Sequence, residues 1–193
     1  IHRNITWAEQ VLPFTTYLSR NSYLLQQGTF VADIAYYLGE GIPSSVPYWK
    51  KIKPEPPVGY DFDFLGTDVL LEDASVVDGK IVLKSGMSYR MLVLPELKEM
   101  TVPVLNKLKE LIAQGATVVG PKPTKSPSLS DYPNADKIIS QIANELWGDA
   151  DGELIYHHAY GKGHVYWGIP LSSILAEMKV YKDTILQSAS KVS

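Results

Sequence analysis

Between residues 89 and 120 the sequence contains a complete strand, helix and strand. Residues 89–94 (YRMLVL) form a nearly continuous apolar run, the pattern of a strand covered on both faces inside a parallel sheet. Thr101 then stands at a helix-capping position and Pro103 in the tolerant first turn. Val104, Leu105, Leu108, Leu111 and Ile112 follow on one helical stripe. Gly115 offers a stop, and residues 116–120 (ATVVG) return to strand character. Two strands joined through a helix that packs back on them run parallel, so this stretch predicts an α/β sheet.

The flanking segments extend the pattern. A helix is expected over residues 7–27, opened by a T-x-x-E capping box at Thr6 and Glu9, kinked or properly begun at Pro13, and stopped at Gly28. Residues 30–37 (FVADIAYY) read as a strand. Five prolines between Gly39 and Tyr60 exclude regular structure, while Tyr48 and Trp49 give that loop something to pack or bind with. A short helix at residues 67–73 precedes a hairpin across Asp78-Gly79. A helix starting near Pro133 buries Ala135, Ile138, Ile139, Ile142, Ala143 and Leu146. Strands at residues 154–158 and 164–167 flank Gly161-Lys162-Gly163, and a last helix covers residues 171–178. The expected fold is a doubly wound, flavodoxin-like α/β domain with a parallel central sheet and helices on both faces, preceded by a long N-terminal helix.

Composition narrows the chemistry. The 193 residues contain no cysteine, which removes thiol nucleophiles, thiolate zinc sites and iron–sulfur clusters. A net charge of -3 with mixed signs lacks the footprint of a phosphate-backbone binder, so no nucleic acid partner is expected. No apolar run reaches the roughly 20 residues of a membrane span. A start at Ile1 rather than Met fits an excised segment of something longer.

Among candidate sites, Gly161-Lys162-Gly163 lies between two strands and therefore reads as a hairpin turn, because a phosphate loop needs a helix after it. His157 and His158 are adjacent on a strand, point to opposite faces and cannot share one metal, so no metal and no cofactor is expected. Met87, Met91 and Met100 read as gap-fillers. Glycoside hydrolysis needs two carboxyl groups across the scissile bond. Glu9 is accounted for by capping, and Asp61 and Asp63 by turn chemistry. Asp33 lies among apolar strand neighbours and needs a partner, while Glu40 follows a strand's C-terminal end, where doubly wound sheets hold ligands. With Glu96 and Lys122 these form a candidate pocket of Asp33, Glu40, Glu96 and Lys122.

The runs IHRNITWAEQ, YLSRNSYLLQQGTFVADIAYYLGE and SGMSYRMLVLPELKEMTVPVLNKLKELIAQGATVVGPKPTKSPSL resemble the later part of family 106 glycoside hydrolases, the α-L-rhamnosidases. The resemblance implies a post-barrel segment and helix at residues 1–28, a class I glutamine amidotransferase-like, flavodoxin-like domain at 29–180, and a tail at 181–193. It places the catalytic acid and base upstream, on barrel strands outside this chain. The expected partners are that barrel in the same polypeptide, a plant or microbial polysaccharide through it, and a homo-oligomer contact. The family favours a periplasmic or secreted location. Residues placed to touch sugar are His2, Arg3, Asn4 and Trp7, with Trp7 equally suited to anchor its helix. Glutaminase chemistry is excluded by the missing cysteine. The resulting expectation is an accessory, non-catalytic domain, inactive by itself. The alternatives are a small-molecule or carbohydrate binding module at the strand-end crevice and a structural interaction domain using Tyr48 and Trp49.

Overall fold

Pro13 decides where the first helix starts. In the computed structural model, which describes residues 6–41, 45–47 and 51–183, it occupies the first turn of α1 (Leu12–Leu25), where its missing N–H costs nothing. The helix expected over residues 7–27, kinked or properly begun at Pro13, resolves into a 3-10 turn (Ala8–Gln10) followed by α1, which begins at Pro13's own turn. Trp7, not Thr6, holds the N-cap position of the 3-10 turn and makes no side-chain cap bond. Contacts divide the chain into two units, 1–30 and 31–193, and α1 belongs to the first. None of its residues is buried.

The second unit is built on a sheet. Its strands are β1 (Ile34–Tyr37) and β2 (Phe62–Leu65), then, after helix α2 (Thr67–Glu72), β3 (Ser75–Val77), β4 (Lys80–Val82), β5 (Ser88–Tyr89) and β6 (Met91–Val93). Helix α3 (Val102–Gln114) leads to β7 (Thr117–Val119), and α4 (Ala135–Trp147) leads to β8 (His157–Tyr160) and β9 (Gly163–Tyr166), before α5 (Leu171–Glu177). The main sheet has the order β2-β1-β6-β7-β9-β8, parallel throughout except for the β8–β9 hairpin. The three predicted central strands are thus adjacent and parallel. Between β1 and β2 the described residues form neither α-helix nor strand, as the prolines require, whereas Tyr48 and Trp49 lie outside the described residues.

The alternation of side chains along the strands sorts the core into two layers. Ala35, Leu92, Val118 and Val165 face Leu70 of α2, Leu105 and Leu108 of α3, and Ile139 and Trp147 of α4. Ile34, Tyr36, Met91, Val93 and Tyr166 face Leu171, Ile174 and Leu175 of α5. Helices therefore cover both faces, three on one and one on the other. Trp147 is fully buried and its Nε1 donates to the Gly120 carbonyl at 2.9 Å, tying α4 to the end of β7.

Three strands differ from the sequence reading in where they begin or how they are shared. The first predicted strand loses its start, since Phe30 and Val31 are exposed and pairing begins at Ile34. The run at residues 89–94 is shared between two sheets: Tyr89 pairs with Ile81 in the small antiparallel sheet β3-β4-β5, and Met91 enters the main sheet. The strand predicted at residues 154–158 slides to His157–Tyr160. Asp151 Oδ1 accepts the backbone N–H groups of Glu153, Leu154 and Ile155 at 2.9, 2.8 and 2.9 Å and bends that segment into a turn.

Candidate functional site

The C-terminal ends of parallel strands point at one side of the sheet, where open α/β folds gather ligand-binding groups. Here the ends of β6, β7 and β9 frame a crevice of about 440 Å³, floored by Leu94, Val119 and Gly120 and walled by Glu96, Lys98 and Trp167. A second hollow of about 340 Å³ shares Lys98 and Trp167 and adds Lys122, Thr124 and Asp149. Lys122 Nζ donates to the Gly148 carbonyl at 3.0 Å, a neutral acceptor that leaves its charge unpaired among the described residues. Glu96 and Lys122 are thus brought to neighbouring parts of one strand-end region. With Trp167 as an apolar plate, the arrangement suits a hydroxyl-rich ligand better than a strongly charged one, because both signs of charge line it.

Glu40 does not join them. Its carboxylate accepts the Thr101 backbone N–H at 2.8 Å and the Thr101 hydroxyl at 2.5 Å. Thr101 holds the N-cap position of α3, but its hydroxyl is spent on Glu40 and makes no cap bond within the helix. The negative charge at the start of α3 comes from Glu40, sixty-one residues earlier in the chain, and is favourable beside the positive end of the helix dipole. At this strand end Glu40 therefore has a structural contact of its own, to the start of α3.

Asp33 lies at the opposite end of the sheet, immediately before β1. Its carboxylate faces Arg90 Nε at 3.8 Å, and both line a hollow of about 300 Å³ with Lys80, Ser88 and Asp183. Burial, and then the like charge of Asp183, push its pKa above the ordinary carboxylate value, while Arg90 and Lys80 pull it down. The four predicted pocket residues therefore fall into three places. Asp63, assigned to a loop from the sequence, sits in β2, where its Oδ2 accepts the buried Tyr89 hydroxyl at 2.9 Å and links the two sheets. Burial raises the Tyr89 pKa, and Asp63 adds to the effect.

Of the sugar-contact candidates, His2, Arg3 and Asn4 lie outside the described residues, and Trp7 is half exposed at the N-cap of the 3-10 turn. The sequence reading missed Lys98 and Trp167. Trp167 directly follows β9, so the strand-end rule applied to Glu40 would have found it too. It also missed a histidine pair. Asp151, whose three backbone donors hold its pKa down at about 2, is committed to its turn.

Comparison with known proteins follows the same lines. The family described as alpha-L-rhamnosidase, glycoside hydrolase family 106, matches residues 1–193. A Formosa agariphila protein named "Putative beta-glucuronidase" is 34% identical over 180 residues, covering 93% of this chain and 14% of that protein. The structure of a rhamnosidase from Novosphingobium sp. PP1Y is similar over 98% of this chain and 18% of its own, with a TM-score of 0.82 and 32% identity. This chain therefore spans less than a fifth of either relative. A match over the whole chain, with a solved relative of the same fold, makes it a member of the alpha-L-rhamnosidase family of glycoside hydrolases.

Proposed function

We propose that this chain is an accessory, non-catalytic segment of a larger carbohydrate-degrading glycoside hydrolase, supporting a catalytic barrel formed elsewhere in the polypeptide. The observation that carries this reading is α1. Phe14, Tyr17, Leu18, Leu24 and Leu25 recur at helical spacing, yet they range from 45% exposed at Leu18 to 83% at Leu25. A stripe of large apolar side chains left in water is the signature of a surface meant for a partner. Further support comes from the acids, since Glu40 caps a helix, Asp63 holds Tyr89 and Asp151 holds a turn.

The finer fold reading belongs here as well. The parallel strands, counted along the chain as first to fifth, lie in the order second, first, third, fourth, fifth, which is the flavodoxin-like order. We take the second unit to be a flavodoxin-like domain of the amidotransferase type, used as a scaffold. A second reading, favoured by Lys98, Lys122 and Trp167 around the strand-end crevice, is a carbohydrate-binding module.

Substitutions on α1 in the full-length enzyme test the main reading. Leu18→Asp with Leu24→Asp should lower the melting temperature and the rhamnosidase activity of the whole protein while leaving the isolated chain folded by circular dichroism. Unchanged activity and stability of the full-length variant would refute a supporting role for this face.

A further inference from the structure

The β8–β9 hairpin carries a side-chain pair that the function above does not use. A two-residue turn at Gly161-Lys162 sets the register, with Ala159 opposite His164 and His157 opposite Tyr166. His157 and His164 are therefore diagonal neighbours on one face of an antiparallel ribbon, a relation within reach of long side chains. Their ring centroids are 5.1 Å apart at 32°, and His157 Nε2 stands 2.9 Å from His164 Nδ1. His158 takes the other face, paired with Val165.

Two imidazole nitrogens aimed at each other are a chelating pair with a proton between them. Metal–nitrogen bonds of about 2.0–2.1 Å at a tetrahedral angle require nitrogens about 3.3 Å apart with each lone pair turned about 35° off the line between them, so a slight widening together with a tilt of the two rings admits an ion in place of that proton. The pair is braced for it. His157 stacks on Tyr166 with centroids 4.6 Å apart at 27°, and the Tyr166 hydroxyl donates to Glu177 of α5 at 3.0 Å.

We propose that His157 and His164 form a two-imidazole binding site for a first-row transition-metal dication of the nitrogen-preferring kind, with Ni²⁺, Cu²⁺ and Zn²⁺ as its chemical class. No group of three ligating side chains is gathered anywhere among the described residues, so water completes the shell and the site is a clasp, not a closed structural centre. Its place is mechanical. It links the edge strand β8 to β9, so an ion bound there stabilises the folded chain by mass action.

The test is titration of the tag-free chain at pH 7.5 with NiCl₂ and CuCl₂ by calorimetry, alongside melting curves, with MgCl₂ as the hard-cation control. The proposal expects one tight event, tighter for Cu²⁺ than Ni²⁺, a melting temperature that rises with either, and no response to Mg²⁺. His157→Ala and His164→Ala should each weaken binding at least tenfold, and His158→Ala should leave it unchanged. The double variant His157→Ala with His164→Ala reports whatever the rest of the chain holds, and circular dichroism checks that it folds. Wild-type binding no tighter than that of the double variant, or an equal loss in His158→Ala, would overturn the proposal.

Discussion

At the scale of single residues, the carboxylates divide by what holds them. Glu40 gives up both oxygens to Thr101, so Glu40→Ala should cost about 1–2 kcal/mol in chemical denaturation, the range for a lost helix cap. A variant as stable as wild type would show that the capping contact contributes nothing. Asp33 titrates in the opposite sense from a well-paired acid. Because its native pKa is raised above the ordinary 3.8, the stability it contributes is present below that value and is lost as pH rises through the native one. Asp33→Asn should therefore flatten the stability profile above about pH 4 and leave stability at pH 7 within about 1 kcal/mol of wild type or above it. A loss of several kcal/mol at pH 7 would mean that the Arg90 pairing outweighs burial. Sequence reading recognised that Asp33 needs a partner, but not that Arg90 is the partner. The two become neighbours only when β1 and β6 pair, a contact between residues distant in sequence.

At the scale of elements, local rules worked wherever the signal was local. The Asp78-Gly79 hairpin, α3 with its Pro103 and Gly115, and the turn at Gly161-Lys162 all formed as their sequences dictate. Two differences were set by tertiary partners, the split of the run at residues 89–94 between two sheets and the late start of β1, while the slide of β8 came from a local turn at Asp151 that the sequence reading did not recognise. The histidine pair escaped because facing follows from hairpin register and not from adjacency. The Gly-Lys-Gly motif gains a physical reason beyond its turn. A Cβ on Gly163 would stand 2.3 Å from the Ile112 carbonyl oxygen and 2.4 Å from that of Ala116, so β9 packs directly on backbone at the end of α3. Gly163→Ala should cost about 1–3 kcal/mol by overpacking, read as a lower denaturation midpoint at unchanged slope. A neutral substitution would contradict this contact. Asp151→Ala should free the Glu153, Leu154 and Ile155 amides, seen as faster hydrogen exchange at those three positions, whereas unchanged protection would mean the turn holds itself.

At the scale of the whole molecule, the chain combines a sheet covered on both faces with a helix that covers none of its own apolar stripe. The covered sheet accounts for the stability of the second unit, and the bare helix is the surface we propose for contact with the rest of the polypeptide. Family membership was legible in the sequence through the runs at residues 1–10, 17–40 and 85–129, because several moderately specific stretches in fixed order are together specific. The position of the chemistry was less legible, since the segment spans less than a fifth of its relatives and side-chain contacts between distant strands are not written in local pattern. We propose that this segment supports catalysis without performing it. Glycosidic cleavage needs two carboxyl groups held about 5–9.5 Å apart around a positioned sugar. The decisive assay is hydrolysis of an aryl α-L-rhamnoside by the purified chain, with Asp33→Asn and Glu40→Gln alongside. Release of the aryl group should be no faster than in buffer for all three proteins, and turnover by the wild-type chain that disappears in either variant would overturn the supporting role.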